Sequence, residues 1–510
     1  MAIVVSHIAS DFGALARQAL RQVALADVIE LRLARIGDPG EAKLAALVRE
    51  LRKPVIVAAH GADAHGEFRG DVDERIDLLR CASRAGAMFV DVDWRIALEL
   101  GMLANPKCHR IVSRHESVGT PADINAMDED VRAVMGEGDL IKLVAHAHTT
   151  EDGLRMLRHL RSARGGLIAF SSGEAGSFTR VLCRIFGSAF TYAAAAAIPG
   201  HAVPEATAPG QLRVNDLRSL FPPGGVTQET AVFGVVGDSV RHSLSPRVHD
   251  MALKAARLDA VYLAFETRDF ERFLALADDA CFRGFSITAP HKPAAFRAAH
   301  TRDAESHAVR AANTLVRDPK GWRAYNSDVE GVRETLERAW RFHKDSTGSA
   351  TVSAGGGALA GVHALVLGAG GAARAVVRAV RAGGGRVTVA ARDLARAQRV
   401  ADELGCAALA WDEIAVTAHD ILVNTTPVGS PTDPERSPIP DAWLRRGTLV
   451  LDAVYKPIKT PLLAAAVKQG CTAVPGAEWF VRQAAAQFRW FTGQEADDAI
   501  LRAAFEAALR

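Results

Sequence analysis

The chain has 510 residues, of which 49% are hydrophobic, and this is enough for two to four domains with large apolar cores. The 61 basic and 59 acidic residues leave a net charge of +2, which gives no field that attracts nucleic acid or a membrane surface. No apolar run is long enough to span a bilayer, the N-terminus lacks a signal-peptide pattern, and the six cysteines show neither CxxC nor metal-finger spacing. We therefore expect a cytoplasmic protein with reduced thiols and no metal.

The first 220 residues contain eight short apolar runs rich in β-branched residues, with amphipathic helical patterns between them. Regular alternation of strands and helices over this length is typical of a parallel α/β fold, and eight repeats predict a closed (β/α)₈ barrel. The eight runs are AIVVSHI, DVIELRL, PVIVAAH, AMFVDVD, RIVSRH, LIKLVAH, GLIAFSS and AFTYAAA.

Four polar residues fall at one end of this predicted barrel. Glu30 and Arg32 lie in strand two, His115 comes just after strand five, and Lys142 lies within strand six. A single lysine or histidine in a strand is more often structural, but their shared position favours a site. A desolvated lysine amine can attack a ketone, and a nearby histidine can move protons, so the pattern indicates imine chemistry.

These residues carry a resemblance to type I 3-dehydroquinate dehydratases. The matching motifs are ELR at Glu30, SRHES at His115, the IK of Lys142, FTR at Arg180, and TAPGQ from Thr207 to Gln211. The resemblance implies that Lys142 forms a Schiff base with the C3 ketone of 3-dehydroquinate, that His115 takes the C2 proton, and that Arg180 holds the carboxylate. It also implies contacts to the ring hydroxyls and a closing loop from Glu30, Arg32, Thr207 and Gln211.

The match breaks after strand three. Where the family carries an arginine and, four positions later, an acid, this chain has His60 and Ala64. The usual carboxylate support of His115 is therefore missing, unless Glu67 takes that place. Loss of such a support commonly weakens catalysis without abolishing it. Two alternatives stay open for the barrel, a slow dehydratase and a non-catalytic module that binds dehydroquinate.

Residues 223–230 have the proline and glycine content of a linker, and a second half begins after them. We expect the barrel to span 1–222, a substrate domain to span 231–328 with completion by helices in 478–510, and a nucleotide domain to span 329–477. The low-complexity stretch 344–361 is predicted to be a loop. The aromatic residues of the last helices are predicted to be core: Trp479, Phe480, Phe488, Trp490 and Phe491.

The run His363–Val380 reads as a strand, a glycine turn and a helix, which is typical of a dinucleotide site in a Rossmann domain. The next strand ends in Ala391-Arg392, and an arginine there favours a 2′-phosphate and so NADP over NAD. Asp393 is the competing acceptor for a free ribose. The predicted cofactor-binding residues are Gly368, Gly370, Gly371, Ala372, Arg392, Arg396, Thr425 and Gly476.

The second half resembles shikimate dehydrogenases through HSLSP, SITAPHK, AANT, YNSD, GAGGAAR, NTTPVG, DAVYKP and GAEWFVRQA, in the order of that family. The resemblance implies reduction of a ring ketone by NADPH, with Lys292 supplying the proton and Asp328 orienting it. It also implies substrate contacts from Ser243, Ser245, Thr288, Asn313, Tyr455 and Gln483. Ser286, Ser327 and Ala391 depart from the family pattern.

Together the two resemblances imply a bifunctional enzyme of the shikimate pathway, acting on 3-dehydroquinate, 3-dehydroshikimate and shikimate. Catabolic oxidation of quinate or shikimate by the same dehydrogenase site is an open alternative. The sequence leaves the oligomeric state undetermined.

Overall fold

The computed structural model describes residues 2–61, 66–163, 165–347 and 357–509. The chain divides into two compact units, the first formed by Met1–Val232 with Arg257–Phe282 and the second by Phe233–Ala256 with Arg283–Arg510. Within the described ranges, no helix combines the length and apolarity that crossing a bilayer requires.

The first unit is built on an eight-stranded parallel sheet whose strands follow one another in chain order around a barrel. The two remaining edges meet where the Ala189 N–H donates to the Leu167 carbonyl (3.4 Å). All eight predicted strands are present, so the (β/α)₈ prediction is confirmed. The strands are β1 Ala2–His7, β2 Val28–Arg32, β3 Val55–Ala58, β4 Phe89–Asp93, β5 His109–Glu116, β6 Leu140–His146, β7 Leu167–Ser172 and β8 Phe190–Ala194.

Helices cover this sheet and bury one apolar face each. In α1, for example, Leu15 and Ala19 are buried at helical spacing, and Asp11 caps the helix by accepting from the Ala14 N–H. Capping boxes begin α3 and α6. The helices are α1 Phe12–Gln22, α2 Glu41–Leu51, α3 Val72–Arg84, α4 Ala97–Leu100, α5 Ile124–Arg132, α6 Thr150–Ser162, α7 Thr179–Leu182 and α8 Val214–Ser219.

The chain after the barrel continues with a mixed group of strands and helices. These are β9 Ala231–Gly237, α9 Ser245–Ala255, β10 Ala260–Glu266, α10 Phe270–Leu276, β11 Phe282–Ile287, α11 Lys292–Ala298, β12 Thr301–Arg302, α12 Ala304–Val309, β13 Thr314–Asp318, β14 Gly321–Tyr325 and α13 Ser327–Thr347. In the second unit β9, β11, β13, β14 and β12 lie in that order in one sheet, with β13 antiparallel to both of its neighbours.

A parallel six-stranded sheet forms the rest of the second unit, in the order β17-β16-β15-β18-β19-β20. The order reverses between β15 and β18, which is the crevice where nucleotides bind in such sheets. The elements are β15 His363–Leu367, α14 Gly371–Ala382, β16 Arg386–Ala390, α15 Leu394–Leu404, β17 Ala407–Leu409, β18 Ile421–Asn424, β19 Leu449–Asp452, α16 Pro461–Lys468, β20 Thr472–Val474, α17 Gly476–Thr492 and α18 Asp498–Leu509.

The last two helices return to the first part of this unit, where α17 packs on α13 and α18 packs on α9. Trp490 stacks on Tyr325 with ring centroids 4.4 Å apart, and Phe491 stacks on Phe233 at 5.0 Å. Trp479, Phe480 and Phe488 are buried, as the sequence predicts, whereas Trp490 and Phe491 are half-buried in these ring contacts.

The predicted loop 344–361 is wrong at its start, because α13 continues through Thr347. Near this end of α13, His343 is buried and its Nδ1 lies 2.8 Å from Thr472 Oγ1 on β20. Such tertiary contacts stabilise a helix where the local composition suggests a loop. Residues 348–356 of that predicted loop lie outside the described residues.

Candidate active sites

A cavity of about 290 Å³ opens at the carboxyl ends of the barrel strands. Chemistry in (β/α)₈ barrels is found at this end, because the loops that follow each strand converge there. All of the barrel residues predicted from the sequence line this cavity: Glu30, Arg32, His115, Lys142, Arg180, Thr207 and Gln211. His115 lies inside β5 rather than just after it.

Lys142 is buried on β6 and is held by charge and by an aromatic face. Its Nζ lies 2.7 Å from Asp91 Oδ2 and 3.8 Å from Glu30 Oε1. The same nitrogen is 4.3 Å from the centroid of the Tyr192 ring. The lysine is thus fixed by neighbours on three other strands, with its amine at the cavity wall.

Asp91 on β4 is a residue that the sequence reasoning missed. It is fully buried, and Asp91 Oδ1 lies 3.2 Å from His60 Nε2 while Oδ2 faces Lys142. Burial alone would raise the pKa of Asp91, but the charges of Lys142 and His60 hold that pKa well below its ordinary value. The available signal was an aspartate in the middle of the strand FVDVD, which ends in a second aspartate, Asp93.

His115 faces His60, with ring centroids 5.0 Å apart. Burial, followed by the charges of His60 and Lys142, keeps the pKa of His115 well below its ordinary value. The imidazole is therefore neutral near pH 7 and can accept a proton. Its Nε2 is buried and has no hydrogen-bond partner within the described part of the chain.

The loop after β3 does not supply a carboxylate to His115 through Glu67. Glu67 is instead exposed and forms an ion pair with Arg35, which also binds Glu205. The hypothesis that Glu67 supports the histidine is therefore not supported, because its acceptor atoms are engaged elsewhere. Ala64 lies outside the described residues.

Arg180 on α7 is positioned for an anion. Its guanidinium lies 4.4 Å above the Phe170 ring, and Nη1 donates to the Tyr192 carbonyl (3.2 Å). Burial lowers the pKa of Arg180 to about 10, so the side chain stays charged at neutral pH. Its Nε has no partner among the residues described, which leaves a donor for a carboxylate.

The loop that carries Thr207 and Gln211 is tied over the cavity. Arg32 donates to the Thr207 carbonyl (2.6 Å), and Gln211 Oε1 accepts from the Thr207 N–H (3.0 Å) and hydroxyl (2.7 Å). These contacts join the end of β2 to the loop after β8, so the predicted closing loop adjoins the predicted substrate residues.

In the second unit, Lys292 and Asp328 form a close pair. Lys292 begins α11 and Asp328 lies in the first turn of α13, with Nζ and Oδ2 2.5 Å apart. The indole of Trp479 donates to the Asp328 carbonyl (3.0 Å), which fixes that turn. The two residues are 36 positions apart, and the fold places them as the motifs predict.

Asn313 lies between Gln483 and Ser327, the residue that precedes Asp328 in the sequence. Asn313 Nδ2 donates to Ser327 Oγ (2.9 Å) and approaches Gln483 Oε1 (3.4 Å). Ser243 accepts from the Ser245 N–H (3.2 Å) at the start of α9, and Thr288 follows β11. Tyr455 packs instead among rings, 5.1 Å from Phe480 and 6.0 Å from Phe505.

Gln487 is a second residue that sequence reasoning missed. It is buried one helical turn after Gln483, and its amide donates to the Asn313 carbonyl (3.2 Å) and to Thr314 Oγ1 (3.0 Å). It also accepts from the hydroxyl of Ser286 (2.8 Å), one of the departures from the family pattern. The signal was the four-residue spacing of the two glutamines on one helix face.

The glycine turn after β15 has the conformation that a dinucleotide site requires. Gly368 has φ of +110°, and a Cβ there would lie 2.6 Å from Thr425 Oγ1, so only glycine fits. Thr425 donates to the Leu367 carbonyl (2.7 Å). A Cβ on Gly371 would lie 3.9 Å from Lys292 Cδ, so the turn and the Lys292–Asp328 pair adjoin each other.

At the end of β16, Asp393 is engaged by its own helix. Its carboxylate caps α15 by accepting from the Arg396 N–H (3.3 Å) and lies 3.6 Å from Arg396 Nε. Arg392 is exposed and pairs with no carboxylate in the described ranges. Gly476 begins α17 so close to the carbonyls of residues 452–454 that a Cβ would lie 2.6 to 2.8 Å from them.

These features define an enzyme with two active sites, an imine-forming barrel and an oxidoreductase unit with a dinucleotide fold. The protein-family model of type I 3-dehydroquinase matches residues 3–222. The models of the shikimate dehydrogenase substrate-binding domain and of shikimate/quinate 5-dehydrogenase match 235–315 and 351–433.

The chain is 31% identical over 479 residues to the chloroplastic bifunctional 3-dehydroquinate dehydratase/shikimate dehydrogenase of Arabidopsis thaliana, covering 92% of this chain and 78% of that relative. It therefore belongs to the family of bifunctional 3-dehydroquinate dehydratase/shikimate dehydrogenases. Its second half is 34% identical to the shikimate dehydrogenase (NADP(+)) of Moorella thermoacetica over 288 residues, which are 54% of this chain and 92% of that one. Among solved structures, shikimate 5-dehydrogenase of Thermus thermophilus with NADP(H) and shikimate is 32% identical, with a TM-score of 0.48, 55% of this chain and 100% of that chain covered.

Proposed function

We propose that the chain catalyses two consecutive reactions, dehydration of 3-dehydroquinate to 3-dehydroshikimate in the barrel and NADPH-dependent reduction of 3-dehydroshikimate to shikimate in the second unit. The observation that carries the proposal is the buried Lys142 beside the neutral His115, in a cavity that also presents Arg180. Membership of the bifunctional family supports both reactions.

In the barrel, Lys142 acts as the nucleophile. The Lys142 ammonium passes one proton to the neutral imidazole of His115, and the freed amine adds to the C3 carbonyl carbon. His115 returns that proton as the carbonyl oxygen leaves as water, which gives a protonated imine. The imine draws electrons from C2, so the neutral imidazole of His115 takes the C2 proton, and the neighbouring hydroxyl leaves as water with a proton returned by His115. Hydrolysis of the protonated imine then releases the product and restores the Lys142 ammonium.

The remaining residues of the cavity bind and orient the substrate. Arg180 binds the carboxylate through its unpartnered guanidinium edge, while Glu30, Arg32, Thr207 and Gln211 contact the ring hydroxyls. The link between Arg32 and the Thr207 carbonyl keeps the closing loop over the bound ring. Water is thereby excluded from the imine during the elimination.

The residues of the second unit fit NADP. The glycine turn leaves no room for a Cβ at Gly368, and Arg392 is free to face a 2′-phosphate because Asp393 is committed to capping α15. Gly370, Gly371, Ala372, Arg396, Thr425 and Gly476 complete the cofactor contacts of this proposal. The bound cofactor supplies the hydride.

Lys292 donates the proton that the developing alkoxide requires, and Asp328 keeps this ammonium oriented. Ser243 and Ser245 bind the carboxylate, Thr288, Asn313 and Gln483 bind the ring hydroxyls, and Tyr455 contacts the substrate. The domain boundaries predicted from the sequence and a cytoplasmic location are part of the same proposal; the free cysteines, four of them buried, are consistent with a reducing compartment.

Borohydride trapping tests the barrel reaction. Wild type incubated with 3-dehydroquinate and borohydride is expected to gain one reduced adduct, located on the Lys142 peptide by mass spectrometry, and Lys142→Ala is expected to gain none. Absence of an adduct in wild type would leave only a binding role for the barrel, which the presence of His60 and Ala64 at the two family positions would permit.

A further inference from the structure

Tyr192 on β8 carries a hydroxyl that is buried in the barrel. The residue is 3% exposed, lines the barrel cavity, and its hydroxyl has no hydrogen-bond partner among the described residues. A buried hydroxyl without a partner destabilises a fold, so such a group calls for an explanation. A phenylalanine in the same place would fill the same space without that cost.

The phenol is a permanent hydrogen-bond donor in this cavity. Burial, followed by the negative charges of Glu30 and Asp91, raises the pKa of Tyr192 well above its ordinary value. The hydroxyl therefore stays protonated throughout the working range of pH. Any oxygen of a polyhydroxylated, carboxylated ring that enters the cavity offers it an acceptor.

The ring of Tyr192 has a second relationship to the chemistry. Lys142 Nζ lies 4.3 Å from the ring centroid, within the distance at which an aromatic face attracts a cation. When the lysine nitrogen becomes a protonated imine, it keeps its positive charge and its attachment to β6. The ring therefore faces the positive charge that this nitrogen carries in the imine.

We propose that Tyr192 is a catalytic residue of the barrel: its ring face stabilises the cationic imine formed at Lys142, and its hydroxyl donates a hydrogen bond to an oxygen of the bound substrate. This inference rests on the dehydratase function proposed above. The ring and the hydroxyl of Tyr192 thus have different roles, which substitutions can separate.

The two tasks are separated by two variants of the full-length chain. Tyr192→Phe keeps the ring and removes the hydroxyl, so dehydratase kcat/KM is expected to fall roughly 10-fold while borohydride trapping at Lys142 persists. The melting temperature of the unliganded variant is expected to equal or exceed that of wild type, because the removed hydroxyl had no partner. Tyr192→Leu removes both the ring and the hydroxyl. Its rate of borohydride trapping at Lys142 is expected to be several-fold lower than that of Tyr192→Phe.

Reduction of 3-dehydroshikimate with NADPH is the internal control, and it is expected to match wild type in both variants. If wild type is trapped but Tyr192→Phe keeps wild-type kcat/KM and melts at a lower temperature, the hydroxyl is structural and the inference is overturned alone. If Tyr192→Leu is trapped as fast as wild type, the role of the ring is overturned. If wild type itself forms no adduct, the dehydratase proposal and this inference fall together.

Discussion

Asp91 binds Lys142 through one carboxylate oxygen, at 2.7 Å, and faces His60 through the other, at 3.2 Å. One buried acid on β4 thus connects the proposed nucleophile to His60, whose ring packs at a tilt against that of the proposed base, His115. The carboxylate support that the sequence lacks at position 64 is supplied to this cluster from another strand.

Asp91→Asn is expected to lower dehydratase kcat by roughly 10- to 100-fold, the usual scale for a group that positions catalytic residues. The amide cannot balance the charges of Lys142 and His60 in a buried site, so both side chains would shift. The measurement is steady-state dehydration of 3-dehydroquinate, followed by absorbance of the conjugated product.

Glu67→Gln is the matched control for this prediction. Glu67 is exposed and paired with Arg35, and exposed ion pairs contribute little, so dehydration is expected to stay within about 2-fold of wild type. A large loss in Glu67→Gln together with a normal rate in Asp91→Asn would reverse the assignment of the supporting carboxylate.

Lys292→Ala and Asp328→Ala are each expected to lower the kcat for 3-dehydroshikimate reduction by roughly 10²-fold, because each removes part of the proton-donating pair. The dissociation constant of NADP, measured by fluorescence titration, is expected to stay near that of wild type. Lys254→Ala is the control, since it breaks a comparable lysine–aspartate pair (2.6 Å) on the surface of α9. Retained kcat in both site variants would remove the pair from the mechanism.

Arg392→Ala is expected to weaken NADP roughly 10-fold or more while changing NAD little, because the charge facing the 2′-phosphate is lost. Asp393 is held by the N-terminus of α15 and does not replace it as the selective group. Arg399→Ala, an exposed cation further along α15, is the control for loss of charge alone. Equal losses for both cofactors would show that Arg392 has only a structural role.

Ionisation of the buried Asp452 is expected to make the stability of the second unit depend on pH. Burial raises the pKa of Asp452 to about 6, against the hydrogen bonds from Thr460, Val454 and Asn424. Because this is above the value of about 3.9 in an unfolded chain, the stabilisation is complete below pH ~3.9 and is lost as the pH rises through the folded value.

As the pH rises from ~4 to ~7.5, the free energy of unfolding of wild type should therefore fall by roughly 3 kcal/mol relative to that of the non-ionising variant Asp452→Asn. Urea unfolding followed by tryptophan fluorescence at the two pH values measures this difference. A constant difference between variant and wild type would show that Asp452 does not titrate in this range.

The barrel could be predicted because each strand is a short, nearly continuous apolar run, and such runs between amphipathic helices leave few alternatives. The residues at its mouth follow from the same pattern, since Glu30 and Lys142 interrupt apolar strands at one end. Asp91 was missed because the pattern does not say which inward-facing acid approaches which cation 51 positions away.

Contacts between residues far apart in the sequence account for the remaining differences. The position of Glu67 depends on Arg35, a partner that no periodicity indicates. The continuation of α13 through Thr347 follows a contact between the buried His343 and Thr472 on β20, more than 100 residues later, which the local composition does not indicate. Gln487 required knowing that α17 lies against Asn313.

A coupled assay tests the central claim that one chain performs both reactions. Wild type supplied only with 3-dehydroquinate and NADPH should oxidise NADPH and form shikimate, whereas Lys142→Ala should do so only when 3-dehydroshikimate is supplied. If wild type reduces 3-dehydroshikimate but oxidises no NADPH with 3-dehydroquinate, the barrel is not a dehydratase and the two-reaction account is contradicted.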